Sequence, residues 1–177
     1  MTNPRVAPLR PDELDEVQKE FLKPFTSRKG RYPNIFGTLC RHMPLLDAWS
    51  EFGLYTMRTS QVDPVLREVL VLRTSRNVNC EYEWHHHEHI GHAVGLTEEQ
   101  IAQIRDGKPM DDDDHNLMVR CADDLSESTE LSDKTWSAMI ERFGLGYTLD
   151  TIFTVGAYTA LAMGLKSCRV QVEGSAN

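Results

Sequence analysis

Four side chains that can carry out chemistry lie close together in the middle of the chain: Glu68, Cys80, Glu83 and His87. Cys80, Glu83 and His87 are three and four residues apart, so they share one face if this segment is helical. Carboxylates, a thiol and an imidazole can hold a proton, transfer it, or support a thiolate nucleophile. The pattern therefore predicts a site for proton transfer or for thiol chemistry.

Two of these residues occupy positions that favour function. Cys80 is predicted at a helix start, where the helix dipole favours a thiolate, and the His87 imidazole could hold this thiolate or take up the proton of the thiol. The alternative is an inert buried thiol. Glu68 interrupts the most apolar predicted helix, so its carboxylate needs a partner there. We consider it a candidate general acid or base; the alternative is an ion pair with Arg73 or Arg76, or an exposed edge.

The neighbouring histidines form a second candidate site. His85, His89 and His92 follow the spacing i, i+4, i+7, which places three imidazoles on one helix face, and Glu88 could add an oxygen ligand. This face is rotated away from that of the first site, because residues two apart differ by about 200° around a helix. A metal site here is the weaker hypothesis; solvent-facing or subunit-contact histidines are the alternative.

Composition excludes several classes of protein. The 177 residues can bury one core, so we expect a single domain over residues 1–177. A net charge of -8 argues against nucleic acid and anionic membrane as partners. We find no signal peptide, no membrane span, no nucleotide-binding motif and hence no cofactor. Cysteines at positions 40, 80, 121 and 168 form no C-x-x-C pair, which favours a cytoplasmic protein with reduced thiols.

Apolar residues recur with helical periodicity along the whole chain. Asp63 is a good N-cap and Pro64 suits the first helical position, and the helix that follows is apolar nearly all round. Pro44 is expected to end the second helix. The predicted helices are residues 12–25, 34–42, 45–59, 63–78, 80–94, 97–106, 114–126, 132–143 and 149–166.

The last of these helices carries small residues that allow close packing in the core or against another subunit. A membrane span is disfavoured, since Asp150 and Lys166 bracket too short a segment. No stretch shows the alternation of apolar and polar residues that is typical of a strand, so these patterns together predict an all-α fold.

The chain resembles the carboxymuconolactone decarboxylase and alkylhydroperoxidase D superfamily in the string R-E-V-L-V-L-R-T-S-R-N-V-N-C-E-Y-E-W-H-H-H, followed by A-V-G-L-T-E-E-Q-I. The motif is a glutamate twelve residues before the cysteine of C-x-Y-x-x-x-x-H. The similarity covers residues 63–104 well and the final helix more loosely. It implies an alkylhydroperoxidase D-like helical bundle that forms a homo-oligomer (a dimer, trimer or hexamer) and acts on a small-molecule substrate.

The resemblance also implies a set of catalytic residues. In the peroxidase branch, the active site consists of a Glu, the first Cys of C-x-x-C, a Tyr, the second Cys and a His. By motif, these five positions correspond to Glu68, Cys80, Tyr82, Glu83 and His87. Glu83 stands where that branch has its peroxide-attacking cysteine, so the disulfide cycle cannot run through this pair. The decarboxylase branch lacks the cysteine, so its activity is not implied either.

Three functions remain open at this point. The first is an enzyme that transfers protons on a small organic acid, lactone or enone, as a lyase, decarboxylase or isomerase. The second is a thiol peroxidase that uses Cys80 alone and is restored by an external thiol or by Cys40, Cys121 or Cys168. The third is a metal- or ligand-binding oligomer that uses the histidine cluster.

Overall fold

Helices form all the regular secondary structure in the described part of the chain. The computed structural model describes residues 3–174, and this range contains α-helices, short 3₁₀ turns and one π-helical turn, but no strand. The all-α prediction is therefore confirmed. The α-helices are α1 (Glu16–Leu22), α2 (Asn34–Leu39), α3 (Met43–Leu54), α4 (Pro64–Asn77), α5 (Glu81–Val94), α6 (Glu98–Asp106), α7 (Asp113–Ser128) and α8 (Asp133–Cys168).

The chain divides into two units. One is Leu54–Ala162, and the other consists of the described residues of Met1–Gly53 and Met163–Asn177. A single domain over residues 1–177 stays a prediction. In the smaller unit, a compact apolar cluster includes Leu14, Leu22 and Leu46.

Helix α4 is the centre of the larger unit. It packs against α5, α6 and α7, and Val69, Leu70 and Leu72 on it have no solvent exposure. Apolar side chains on nearly every face are what a helix surrounded by other helices requires. The apolar pattern of this helix therefore agrees with its central position in the unit.

The start of α4 is determined by local chemistry. The Asp63 carboxylate accepts hydrogen bonds from the backbone N–H groups of Val65 (2.8 Å) and Leu66 (3.4 Å), and Pro64 occupies the first turn, where its missing N–H costs nothing. The helix starts where the sequence predicted, so the position of Glu68 in its second turn follows directly.

Two early boundaries differ from the predictions. Pro44 does not end a helix but lies in the first turn of α3, a position that proline tolerates because the N–H there needs no intrahelical partner. The predicted helix over residues 12–25 is shorter: α1 spans Glu16–Leu22, because Asp15 caps it at its first turn, accepting from Gln18 N. Short 3₁₀ turns flank it on both sides.

Helix α8 contains a break. Gly144 has φ 81° and ψ 175°, a backbone conformation that glycine adopts without steric cost, so two helical segments meet there. This agrees with the prediction of two helices, although the second begins nearer residue 145 than 149. Among the described residues α8 is also the one helix long and apolar enough to cross a membrane, with a mean hydropathy of 1.2; half of that window is buried, and buried core helices have the same properties.

Candidate active site

A tight connection between α4 and α5 brings the candidate residues together. Three residues separate Asn77, the last of α4, from Glu81, the first of α5. Asn79 adopts a left-handed backbone (φ 51°), and the Cys80 N–H donates to the Ser75 carbonyl at 2.9 Å. This turn reverses the chain, so that α5 packs back along α4.

Glu68 and His87 meet across these two helices. Glu68 has no solvent exposure, and its Oε2 lies 2.6 Å from His87 Nδ1. When the carboxylate is ionised, the Nδ1–H group donates to it, which leaves Nε2 as the acceptor of a neutral imidazole. Nε2 makes no hydrogen bond within residues 3–174. The two candidate residues therefore meet, and their contact orients the imidazole for proton exchange.

Arg67 completes the surroundings of the carboxylate. Its Nε donates to Glu68 Oε1 at 3.4 Å, so the two oxygens of Glu68 face different partners. The sequence left open an ion pair of Glu68 with an arginine such as Arg73 or Arg76, and the arginine observed in that pair is Arg67. Arg73 instead pairs with Asp123. Spacing along the helix could not identify Arg67, because adjacent residues seldom face each other; here the long side chain bends back.

The other two candidate residues are Glu83, one helical turn before His87 on α5, and Cys80, the N-cap residue of that helix. Both are buried, at 3% and 2% exposure. Burial raises the pKa of Glu83 to about 8, and the nearby Cys80 thiol partly opposes this by hydrogen bonding. Burial is the larger of the two effects, so the net change in the pKa of Glu83 is upward. A carboxyl group in this state is a proton donor near neutral pH.

Tyr158 on α8 also belongs to the site, and sequence analysis did not find it. Its ring meets the His87 ring edge-to-face, with centroids 4.9 Å apart and an interplanar angle of 87°. Its hydroxyl donates to Met57 Sδ at 2.8 Å, in the π-helical turn Tyr55–Thr59. Burial, and then the negative charges of Glu68 and Glu83, raise the pKa of Tyr158 far above its ordinary value, so the hydroxyl stays protonated.

The sequence held one weak signal for Tyr158. It is a lone phenol in the stretch V-G-A-Y-T-A-L-A, where every neighbour is small or apolar. A buried tyrosine needs a partner for its hydroxyl, so a polar contact could have been expected, although nothing in the sequence indicated which one.

Tyr82 occupies a different face of α5. Its buried ring lies 4.5 Å from the His86 ring, four residues later on the helix. Residues 82 and 83 point about 100° apart around the axis. The described ring contact therefore places Tyr82 beside His86, and its assignment to catalysis stays a prediction from the family motif.

The three histidines of the candidate metal site, His85, His89 and His92, make other contacts. The rings of His85 and His89 meet edge-to-face at 4.9 Å, and His89 Nδ1 lies 2.7 Å from the His85 carbonyl. His92 contacts the Leu96 carbonyl through Nδ1 and Glu98 through Nε2. Within the described range, no group of three His, Cys, Asp or Glu side chains is arranged to hold a metal ion.

Comparison with known proteins identifies a matching family and a shared fold. Residues 44–108 match the sequence model of the carboxymuconolactone decarboxylase family. Similar solved structures have the alkylhydroperoxidase D-like fold, among them a peroxidase-related protein from Ralstonia eutropha JMP134 (TM-score 0.82, 15% identity, 98% of this chain and 95% of that one covered). The chain therefore has an alkylhydroperoxidase D-like fold, with a segment similar to the carboxymuconolactone decarboxylase family. The matched segment contains every candidate residue of α4 and α5.

Two further solved structures have a fold similar to that of this chain. A peroxidase-related protein from Silicibacter sp. TM1040 has a TM-score of 0.81 at 17% identity, over 98% of this chain and 96% of that one. A cysteine-to-alanine variant of the debrominase Bmp8, in complex with 2,3,4-tribromopyrrole, has a TM-score of 0.74 at 14% identity, over 98% and 94%. At such low identity these similarities concern the fold. A search of curated proteins gives no match.

Proposed function

We propose that this protein is an enzyme that transfers protons on a small organic substrate, with His87 as general base. The observation that carries the proposal is the 2.6 Å contact between His87 Nδ1 and the fully buried Glu68 carboxylate. A carboxylate at Nδ1 fixes the tautomer and ring orientation, so that Nε2 can accept a proton. Glu68 acts here as a positioning residue.

Glu83 supplies the complementary acid. Because its pKa is about 8, most of its carboxyl group is protonated at neutral pH. It lies one helical turn before His87, and side chains four residues apart on a helix have Cβ atoms about 5–6 Å from each other. A base and an acid at this separation can remove a proton from one substrate atom and deliver one to another.

This pairing suits lyase, decarboxylase or isomerase chemistry on a small acid, lactone or enone. In such substrates a carbonyl group acidifies the neighbouring C–H bond, so a single imidazole can abstract the proton while a neutral acid protonates the developing oxyanion. Cys80 adjusts the proton affinity of Glu83 through its thiol, and Tyr82 enters only as the substrate-orienting residue that the family motif suggests.

The test is deuterium exchange. The protein is incubated in D₂O with a panel of small keto acids, lactones and enones, and deuterium incorporation next to the carbonyl is followed by proton NMR. We expect wild type to accelerate exchange in at least one member. His87→Gln should reduce that rate by about 10²–10⁴-fold, the typical contribution of one positioned acid or base.

Two variants make the result specific. Glu68→Gln should lower the rate and change its pH profile, and Glu68→Asp should restore part of it, because a carboxylate is again available to Nδ1. His89→Gln, at an exposed histidine on the same helix, is the matched control and should leave the rate unchanged. Equal rates in wild type and His87→Gln for every compound would exclude the proposal.

A second candidate is a thiol peroxidase, favoured by the position of Cys80 at the N-cap of α5 beside a protonated carboxyl group. The thiolate would attack the terminal peroxide oxygen, the O–O bond would break, and Glu83 would protonate the departing alkoxide. The products are Cys80 sulfenic acid and an alcohol, and two equivalents of an external thiol would restore the thiol with loss of water.

Intact mass after peroxide treatment separates the two candidates. A gain of one oxygen atom that disappears in Cys80→Ser but persists in Cys168→Ser would favour the peroxidase. If the protein stays unmodified and exchange with D₂O depends on His87, the proton-transfer function is favoured. Brominated pyrroles belong in the same panel, since the debrominase Bmp8 shares the fold.

A further inference from the structure

Arg67 is an unusual arginine for the inside of a protein. Its side chain is 10% exposed, and the one hydrogen bond that it makes with residues 3–174 runs from Nε to Glu68 Oε1 at a long 3.4 Å. Within that range its two terminal groups, Nη1 and Nη2, donate to no partner. A buried guanidinium ordinarily satisfies its donors, because leaving a buried charge without hydrogen bonds is costly.

Another arginine of the same helix makes the contrast clear. Arg73 donates through Nε and Nη2 to both carboxylate oxygens of Asp123, and through Nη1 to the backbone carbonyls of Ile104 and Arg105. Its guanidinium makes four hydrogen bonds, as expected of an arginine that stabilises the fold. Arg67 makes one, so the protein itself provides little use for its terminal donors.

The Arg67 guanidinium is also only weakly held by the nearest carboxylate. That carboxylate, Glu68, has its shorter contact, 2.6 Å, with His87, while that with Arg67 is 3.4 Å. Glu83, the other buried carboxyl group, makes no hydrogen bond with Arg67. The terminal nitrogens of Arg67 are therefore the donors that remain for a ligand at this site.

The location of this donor relates it to the proposed base. Arg67 and His87 contact the two oxygens of one carboxylate, and each side chain retains about a tenth of its surface exposed. Because only the Glu68 carboxylate separates the two groups, a small molecule held by Nη1 and Nη2 would lie near the imidazole. The planar fork of a guanidinium matches a carboxylate through two parallel hydrogen bonds.

We propose that Arg67 is the specificity-determining residue of this site and that it binds the carboxylate of an organic-acid substrate through Nη1 and Nη2. This inference rests on the proposed function and narrows it: acids are substrates, whereas neutral lactones and enones without a carboxylate are not. A phosphate dianion is less suitable, because the Glu68 carboxylate already occupies the Nε side.

The experiment measures binding and does not require turnover. Benzoate and benzamide have the same shape and differ in charge, as do acetate and acetamide; each is titrated into wild type labelled with ¹⁵N-histidine. The His87 ring signals are assigned by their loss in His87→Gln. We expect a carboxylate to shift these signals saturably and to bind about tenfold or more tightly than its amide, as hydrogen bonds to a charged group imply.

Variants test the residue itself. Arg67→Gln should abolish the preference for the carboxylate, and Arg67→Lys, which keeps the charge but not the fork, should retain only part of it. Arg105→Gln, at a more exposed arginine that pairs with Glu88, is the matched control and should bind as wild type does. If Arg67→Gln does not fold, the comparison of each acid with its amide in wild type still tests whether the site prefers a carboxylate.

The outcomes separate this inference from the proposed function. If no carboxylate binds more tightly than its amide, or if the preference persists in Arg67→Gln, the inference is overturned, whatever the exchange assay shows. If carboxylates bind through Arg67 but exchange is independent of His87, the carboxylate site stands and the proton-transfer function fails. Inorganic phosphate that competes better than benzoate would also overturn the inference.

Discussion

The buried carboxyl group of Glu83 makes a quantitative prediction about stability and pH. Burial raises its pKa from an ordinary value of 4.5 to about 8 in the folded protein. Between pH 4.5 and about pH 8, the folded state retains a proton that the unfolded state has released. The stability that Glu83 contributes therefore falls as pH rises through this range. At about 1.4 kcal/mol for each pH unit, the full difference is about 5 kcal/mol.

Glu83→Gln removes this dependence, because an amide is neutral at every pH and has nearly the same shape. The free energy of unfolding of wild type minus that of the variant should therefore be largest below pH 4.5 and fall by up to about 5 kcal/mol as pH rises to about 8. Above pH 8 the difference should level off, because the carboxyl group is then ionised in the folded state as well. This is measurable, since whole domains are stable by roughly 5–15 kcal/mol.

The assay is urea unfolding of both proteins at intervals from pH 4.5 to pH 9. Other titrating groups contribute equally to both chains, so the difference isolates Glu83. Glu127→Gln, at an exposed position of α7, serves as the control and should track wild type throughout. Parallel curves for wild type and Glu83→Gln would refute the reasoning, because they would mean that the folded site keeps Glu83 ionised as easily as water does.

Three further outcomes follow from the structure. Asp63→Ala should lower the free energy of unfolding by about 1 kcal/mol in urea titrations, since its carboxylate caps Val65 and Leu66; no change would mean that Pro64 alone starts the helix. Leu70→Ala should cost about 2–5 kcal/mol by the same measurement, because the side chain has no exposure, and a smaller loss would indicate that the core collapses around it. Cys121 should resist iodoacetamide in the native protein at neutral pH, as judged by peptide mass mapping, because burial raises its pKa to about 12; rapid labelling would contradict its burial.

Local chemistry allowed much of the larger unit to be predicted. The Asp63–Pro64 pair marks the start of α4, and Gly95, in a left-handed conformation, marks the end of α5. Each signal acts within a few residues, through hydrogen bonds to unpaired helix ends, and therefore needs no knowledge of distant contacts. Pro44 misled for the same reason: proline is compatible with a helix start as well as with a helix end, and the sequence alone does not distinguish them.

The alignment of Glu83 with His87 was also determined by the sequence, because helix geometry alone places residues four apart on one face. So was the need of Glu68 for a polar partner, since a carboxylate among apolar side chains requires one. What only the tertiary structure decided is which groups complete the site. Arg67 and Tyr158 join it because α4 is enclosed by its neighbours and α8 brings a phenol against the imidazole, and the proton affinity of Glu83 depends on how completely that packing excludes water.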